Sequence, residues 1–154
     1  MEFIPDAHIT EVFGLLEILD DNGGSLPADD IQKISGVVFD ELLPVIDAAE
    51  MLGLVVVNKN MVKLTKFGKK IVGLEIEERQ DEIAKRIKNT EIFKKVLSMI
   101  KRKGAITMEE LISFLEKELT KRDAKKEARK IIEWGRYAEL ISYDIEDRTI
   151  TLQE

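Results

Sequence analysis

The sequence predicts a mainly α protein with small β-hairpins, an α+β chain arranged as tandem winged helix domains joined by a long connecting helix. Three observations predict it. Apolar residues recur at helical spacing through most of the chain, two pairs of β-prone runs close around short polar turns, and the order of three helices followed by a hairpin occurs twice. The expected boundaries are 1–73 for the first winged helix domain, 74–89 for the connecting helix and 90–154 for the second winged helix domain.

In the first copy, Ile9, Val12, Phe13, Leu15, Leu16 and Leu19 mark a helix that Asn22-Gly23-Gly24 stops in the manner of a C-cap. Pro27 suits the first turn of a second, short helix that carries Ile31 and Ile34 and ends near Ser35-Gly36. The third helix runs from Phe39 to Leu52. Its apolar stripe is Leu42, Leu43, Ile46, Ala49 and Met51-Leu52, and Pro44 lies in the first two turns, where a proline costs least. Val55-Val56-Val57 and Met61 to Leu64 flank the polar turn Asn58-Lys59-Asn60 and predict a hairpin. Thr65 can N-cap a further helix, its hydroxyl accepting from a free first-turn amide.

The second copy repeats the order. Phe93, Val96, Leu97 and Ile100 predict a helix ending at Lys103-Gly104, and Thr107 with Glu110 has capping-box spacing ahead of Leu111, Ile112 and Leu115. Asp123 is the expected cap of a third helix through Ala128, Ile131, Ile132, Gly135 and Ala138. Leu140 to Tyr143 then pairs with Thr149 to Leu152 across Glu146-Asp147-Arg148. Between the copies, Leu74 to Asn89 is highly charged, with Ile76, Ile83 and Ile87 spaced by seven and four.

Composition narrows the chemistry. The 154 residues include no cysteine and one histidine, His8, which excludes thiol nucleophiles, thiolate zinc sites and histidine clusters. No cofactor is expected. Asp20-Asp21 and Asp29-Asp30 lack the spacing of a calcium loop, and nothing nominates one pair among the 30 carboxylates for acid-base catalysis, so no enzyme is expected. The first residues lack a signal peptide's basic and apolar regions, and no apolar run is long enough to span a membrane, which predicts a cytoplasmic protein without membrane insertion. Lysine and glutamate together make 36 residues, a bias shared with proteins from hot environments and consistent with a thermophilic source.

Four stretches carry a family resemblance: Gly14-Leu15-Leu16-Glu17-Ile18-Leu19, Leu42 to Gly53, Leu64-Thr65-Lys66-Phe67-Gly68-Lys69, and Trp134-Gly135-Arg136-Tyr137-Ala138-Glu139-Leu140. Across about residues 5–152 the chain resembles the AAA-associated C-terminal domain. That domain follows the ATPase in some ATP-binding subunits of nitrate, sulfonate and taurine type ABC transporters, and also occurs as small independent proteins in archaea and bacteria. The Trp134 to Leu140 stretch is its most specific piece, whereas Leu-Thr-x-x-Gly is common to many winged helices. The resemblance implies an accessory or regulatory module. Gly68-Lys69-Lys70 lacks the upstream glycine and the hydroxyl of a phosphate-binding loop, so ATP hydrolysis is not expected and any link to a transporter runs through a separate chain.

Candidate surfaces follow from charge and spacing. Residues 1–60 hold 2 basic against 12 acidic residues, for −10, and residues 61–154 hold 22 against 18, for +4. The first copy's third helix, with Asp40, Glu41, Asp47 and Glu50, would repel phosphates. The second copy is less hostile: Lys121, Arg122, Lys125, Lys126, Arg129 and Lys130 lie along its third helix and Arg148 on its hairpin. Interleaved Glu116, Glu118, Glu127, Glu133 and Glu139 fit a solvated, ion-paired face equally well. Trp134 and Tyr137 share a helix face beside Arg136 and suit either a partner anchor or, as is commoner for such residues, a seal between helix and hairpin. Ile76, Gln80, Ile83 and Ile87 have the spacing of a short helix-pairing seam, and suit equally a stripe that packs on the two winged domains and fixes their relative orientation. The expected function is a non-enzymatic interaction module whose partner is an ABC transporter ATPase subunit or a second copy. The alternative is a DNA-binding regulator using the second copy's basic helix.

Overall fold

A computed structural model describes all residues 1–154, about 60% of them helical, with small antiparallel sheets. Ile9, Val12, Leu15, Leu16 and Leu19 form the buried face of α1 (Ile9–Asp21), which His8 opens with its backbone N–H bonded to Glu11 Oε1 at 2.8 Å. Gly23 and Gly24, at φ of +86° and +94°, turn the chain back into β1 (Ser25–Pro27), a conformation that glycine adopts without steric cost. After β1 come α2 (Ala28–Ser35), closed by Gly36 at φ +74°, and α3 (Phe39–Met51). The hairpin of β2 (Val55–Asn58) and β3 (Met61–Leu64) leads into α4 (Lys66–Val72), where Thr65 Oγ1 accepts from the Gly68 N–H at 3.0 Å.

The charged segment forms α5 (Ile76–Lys88). Thr90 then caps α6 (Glu91–Lys103), β4 (Ile106–Thr107) leads into α7 (Met108–Leu115), and α8 (Lys121–Tyr137) is followed by β5 (Ile141–Asp144) and β6 (Thr149–Leu152). The capping box at Thr107 is formed, with Glu110 N–H to Thr107 Oγ1 at 3.0 Å and Thr107 N–H to Glu110 Oε1 at 3.2 Å.

Three local expectations need correction. Pro27 ends a strand and N-caps α2 instead of lying in its first turn, because β1 pairs with β3 and only after that does the backbone turn helical. Each hairpin is also part of a three-stranded sheet, in the orders β1-β3-β2 and β4-β6-β5. The added strands are edges, which is why β1 tolerates a proline. Finally, α8 is capped by Thr120, whose hydroxyl accepts from the Asp123 N–H at 3.2 Å, so that Asp123 falls inside the first turn.

The chain forms two compact units, residues 5–82 and residues 83–154 together with Met1–Ile4. The division falls within α5, and the segment 1–4, grouped by sequence with the first domain, clusters with the later unit. In the amino-terminal unit the core comprises Val12, Leu16, Leu19, Ile31, Leu52, Leu54 and Ile71. Arg79 fixes the start of α5 there, donating to the carbonyls of Leu74 at 3.0 Å and Val72 at 2.8 Å.

In the carboxy-terminal unit Trp134, Phe93, Ile92, Val96, Ile100 and Ile141 are fully enclosed. Gly135 lets α8 close on β5, since a Cβ there would meet Ile141 at 2.7 Å. The Ile4 N–H donates to Glu127 Oε2 at 2.7 Å and joins the chain start to α8.

Local backbone contacts repeat between the units. Leu54 N–H to Ala49 O and Leu140 N–H to Gly135 O are both 2.9 Å, and the first residue of the second helix bonds to the hairpin turn in each, Ala28 to Asn60 O at 2.8 Å and Met108 to Arg148 O at 2.9 Å. Gly53 at φ +75° and Glu139 at φ +57° occupy the same place ahead of the first hairpin strand.

Candidate interaction surfaces

Helix α8 displays its cations on one side and buries the other. Ala124, Ala128, Ile131 and Trp134 line the core, and the spacing of 3.6 residues per turn leaves Lys121, Arg122, Lys125, Lys126 and Arg129 exposed. Lys121 and Lys125 meet Arg148 across a cleft of about 350 Å³. The same cleft holds Glu109 and Glu116, and Arg148 Nη2 is 3.1 Å from Glu109 Oε1. Lys130 is turned away from this face, its stem mostly covered and its Nζ 3.8 Å from Glu133 Oε2. Thus three of the seven expected phosphate contacts share a concavity, and carboxylates offset much of their charge.

Two of the candidate partner surfaces lie largely in the interior. Trp134 is 0% exposed, packed in the core because α8 points it inward with Ile131 and Ala138, so it cannot reach a partner from the folded state. Arg136 is exposed and Tyr137 half-buried on the same helix end. Ile83 and Ile87 are likewise fully buried and present no seam, whereas Ile76, the first residue of α5, is 80% exposed. Periodicity identified an apolar face but could not say that the fold itself consumes it.

Sequence reasoning missed an exposed apolar patch in the amino-terminal unit. Ile34 at the end of α2, Val38 before α3, and Phe39 and Leu43 on α3 are between 41% and 56% exposed. Asp40, Glu41, Asp47 and Glu50 are exposed on the same helix. Burial and the neighbouring Glu50 charge raise the Asp47 carboxyl above the usual aspartate range. The doublet Leu42-Leu43 gave no signal of this in the sequence, since adjacent apolar pairs such as Leu15-Leu16 and Val45-Ile46 are buried together on the same or a neighbouring helix.

A second missed feature is a groove of about 690 Å³ in the carboxy-terminal unit. Its walls include Leu97 from α6 and Leu140 and Leu152 from the hairpin, with Lys88, Lys94 and Lys101 around them. His8 stays at the head of α1, and no group of three or more histidine, aspartate and glutamate side chains is gathered as a metal would require. No helix is long and apolar enough to cross a membrane.

The fold and these surfaces define a mainly helical α+β protein of two repeated units, with its distinctive features on exposed helix faces. The profile of the C-terminal AAA-associated domain matches residues 29–144, from α2 to the end of β5, and the chain belongs to that family of accessory domains. Three of the four resembling stretches lie within the match; Gly14 to Leu19 lies outside it. No curated protein and no solved structure matches the chain significantly.

Proposed function

We propose that this chain is a non-enzymatic cytoplasmic accessory module, built as a tandem of winged helices joined through α5, that recognises a protein partner. Support for the winged helix reading comes from the order helix, strand, helix, helix, strand, strand and the three-stranded antiparallel sheet in each unit. The observation that carries the function is the exposed face of α3. In a nucleic-acid-binding winged helix the third helix meets phosphates and bases. Here it offers Phe39 and Leu43 among four carboxylates, which repel phosphate and favour an apolar, basic protein surface.

Membership of the AAA-associated family makes an ABC transporter ATPase subunit the first partner to test. The expected outcome is that the chain binds the isolated ATP-binding subunit of a nitrate, sulfonate or taurine type transporter, and that Phe39→Asp with Leu43→Asp lowers affinity at least about tenfold, the scale of an interface hot spot. Equal affinity of wild type and double variant would remove α3 from the interface. A second reading, phosphate-backbone binding by α8, is favoured by its five exposed cations and Arg148.

A further inference from the structure

The groove of the carboxy-terminal unit and the α3 face of the amino-terminal unit are complementary in chemistry and in spacing. On α6, Lys94, Leu97 and Lys101 stand at i, i+3 and i+7, both lysines exposed and Leu97 half-buried in the groove. On α3, Asp40, Leu43 and Asp47 stand at the same i, i+3 and i+7, all exposed. Seven residues of helix rise about 10.5 Å, so two carboxylates flanking a leucine match two ammonium groups flanking a leucine. We propose that the α6 groove receives the α3 face of a second copy of this chain, Leu43 and Phe39 entering among Leu97, Leu140 and Leu152 while Asp40 and Asp47 meet Lys94 and Lys101. This identifies one partner within the protein-interaction reading above and rests on it.

Charge supports the choice of occupant. Residues 5–82 carry 7 basic against 16 acidic residues, for −9, and residues 1–4 with 83–154 carry 17 against 14, for +3. Opposite net charges on the two units steer unlike units of two copies together and like units apart. Around the groove three lysines stand against the single carboxylate of Glu139. The mode is an amphipathic helix in an apolar groove. Because the two surfaces differ, each contact joins unlike faces, and the association closes into a reciprocal pair or ring or continues into chains.

Sedimentation equilibrium of the full chain, from about 10 µM to about 1 mM at about 50 mM salt, tests this, since rim charges weaken as salt screens them. The average mass should rise with concentration above that of one chain, and rise less at about 500 mM salt. The reversals Lys94→Glu with Lys101→Glu, and Asp40→Lys with Asp47→Lys, should each hold the protein as a monomer, while an equimolar mixture of the two variants regains the higher mass. Recovery in the mixture shows that neither variant fails through misfolding. A wild type that stays monomeric throughout, or variants that associate as wild type does, would overturn the proposal. A monomer that still binds the ATPase subunit through α3 leaves the interaction module standing. Salt-sensitive binding of duplex DNA overturns the module instead.

Discussion

Glu127 is the only charged side chain among the buried residues, and its carboxylate accepts the Ile4 N–H. Removing that acceptor leaves a buried backbone donor unsatisfied, so Glu127→Ala should lower unfolding free energy by about 1–3 kcal/mol in urea titration, with Glu127→Gln, which keeps an acceptor oxygen, losing less. Glu91 holds the same segment from α6: the hydrogen bond from the Glu2 backbone lowers its carboxyl below the ordinary value. That contribution is present above the unfolded carboxyl's range and is lost as pH falls through the lower folded value.

Asp47 has the opposite sign. Its raised carboxyl binds its proton more tightly when folded, so the folded state gains stability as pH falls through the aspartate range and loses it as pH rises. Asp47→Asn should therefore stabilise slightly at neutral pH, within about 0.5 kcal/mol for so exposed a site, and flatten the melting temperature between about pH 3 and 6. Little of this was legible in the sequence. Nothing local to Glu127 announces a partner 123 positions away, and Glu127 reads as one more solvated charge in a lysine-rich helix.

At the scale of elements, two of the local caps were readable, whereas Thr120, bonded just as locally, was passed over for Asp123. Thr65 and Thr107 accept from amides three residues ahead, the first expected from its hydroxyl and its place after the hairpin, the second from its capping-box spacing with Glu110. Thr107→Ala should cost about 1 kcal/mol in thermal or chemical unfolding, as loss of an N-cap generally does. The Leu-Thr-x-x-Gly stretch has a second reason: a Cβ on Gly68 would collide with the Leu54 carbonyl oxygen, so Gly68→Ala should cost about 1–3 kcal/mol through overpacking. The edge strands were not readable. Ser25–Pro27 and Ile106–Thr107 are too short for period-two alternation and exist because β3 and β6 offer free edges.

Trp134 shows the limit of reading faces from periodicity. Its spacing with Tyr137 placed them on one side of α8, but only its complete burial in the folded chain shows that Trp134 is interior. Trp134→Ala should destabilise by about 3–5 kcal/mol.

Across the whole molecule, the repetition of element order was legible because each copy carries its own caps and turns, and the family match runs from the first copy into the second. Exposed apolar residues were not legible, since Phe39 and Leu43 fit a core stripe as well as a surface. The charge difference between the units can be counted from the sequence, but only the fold shows that Lys94, Leu97 and Lys101 line a groove and that Asp40, Leu43 and Asp47 lie open. Folds of this order host both DNA readers and protein binders, so the exposed side chains carry the distinction.

The claim that protein, and not nucleic acid, is the ligand meets its most direct test in binding of the full chain to mixed-sequence duplex DNA at about 50 mM and then about 200 mM salt, with Lys126→Glu and Arg129→Glu as the paired control. The expected result is no binding at the lower salt beyond that of the control. Binding that falls steeply between the two salts and disappears in the control would contradict it and make α8 the functional face.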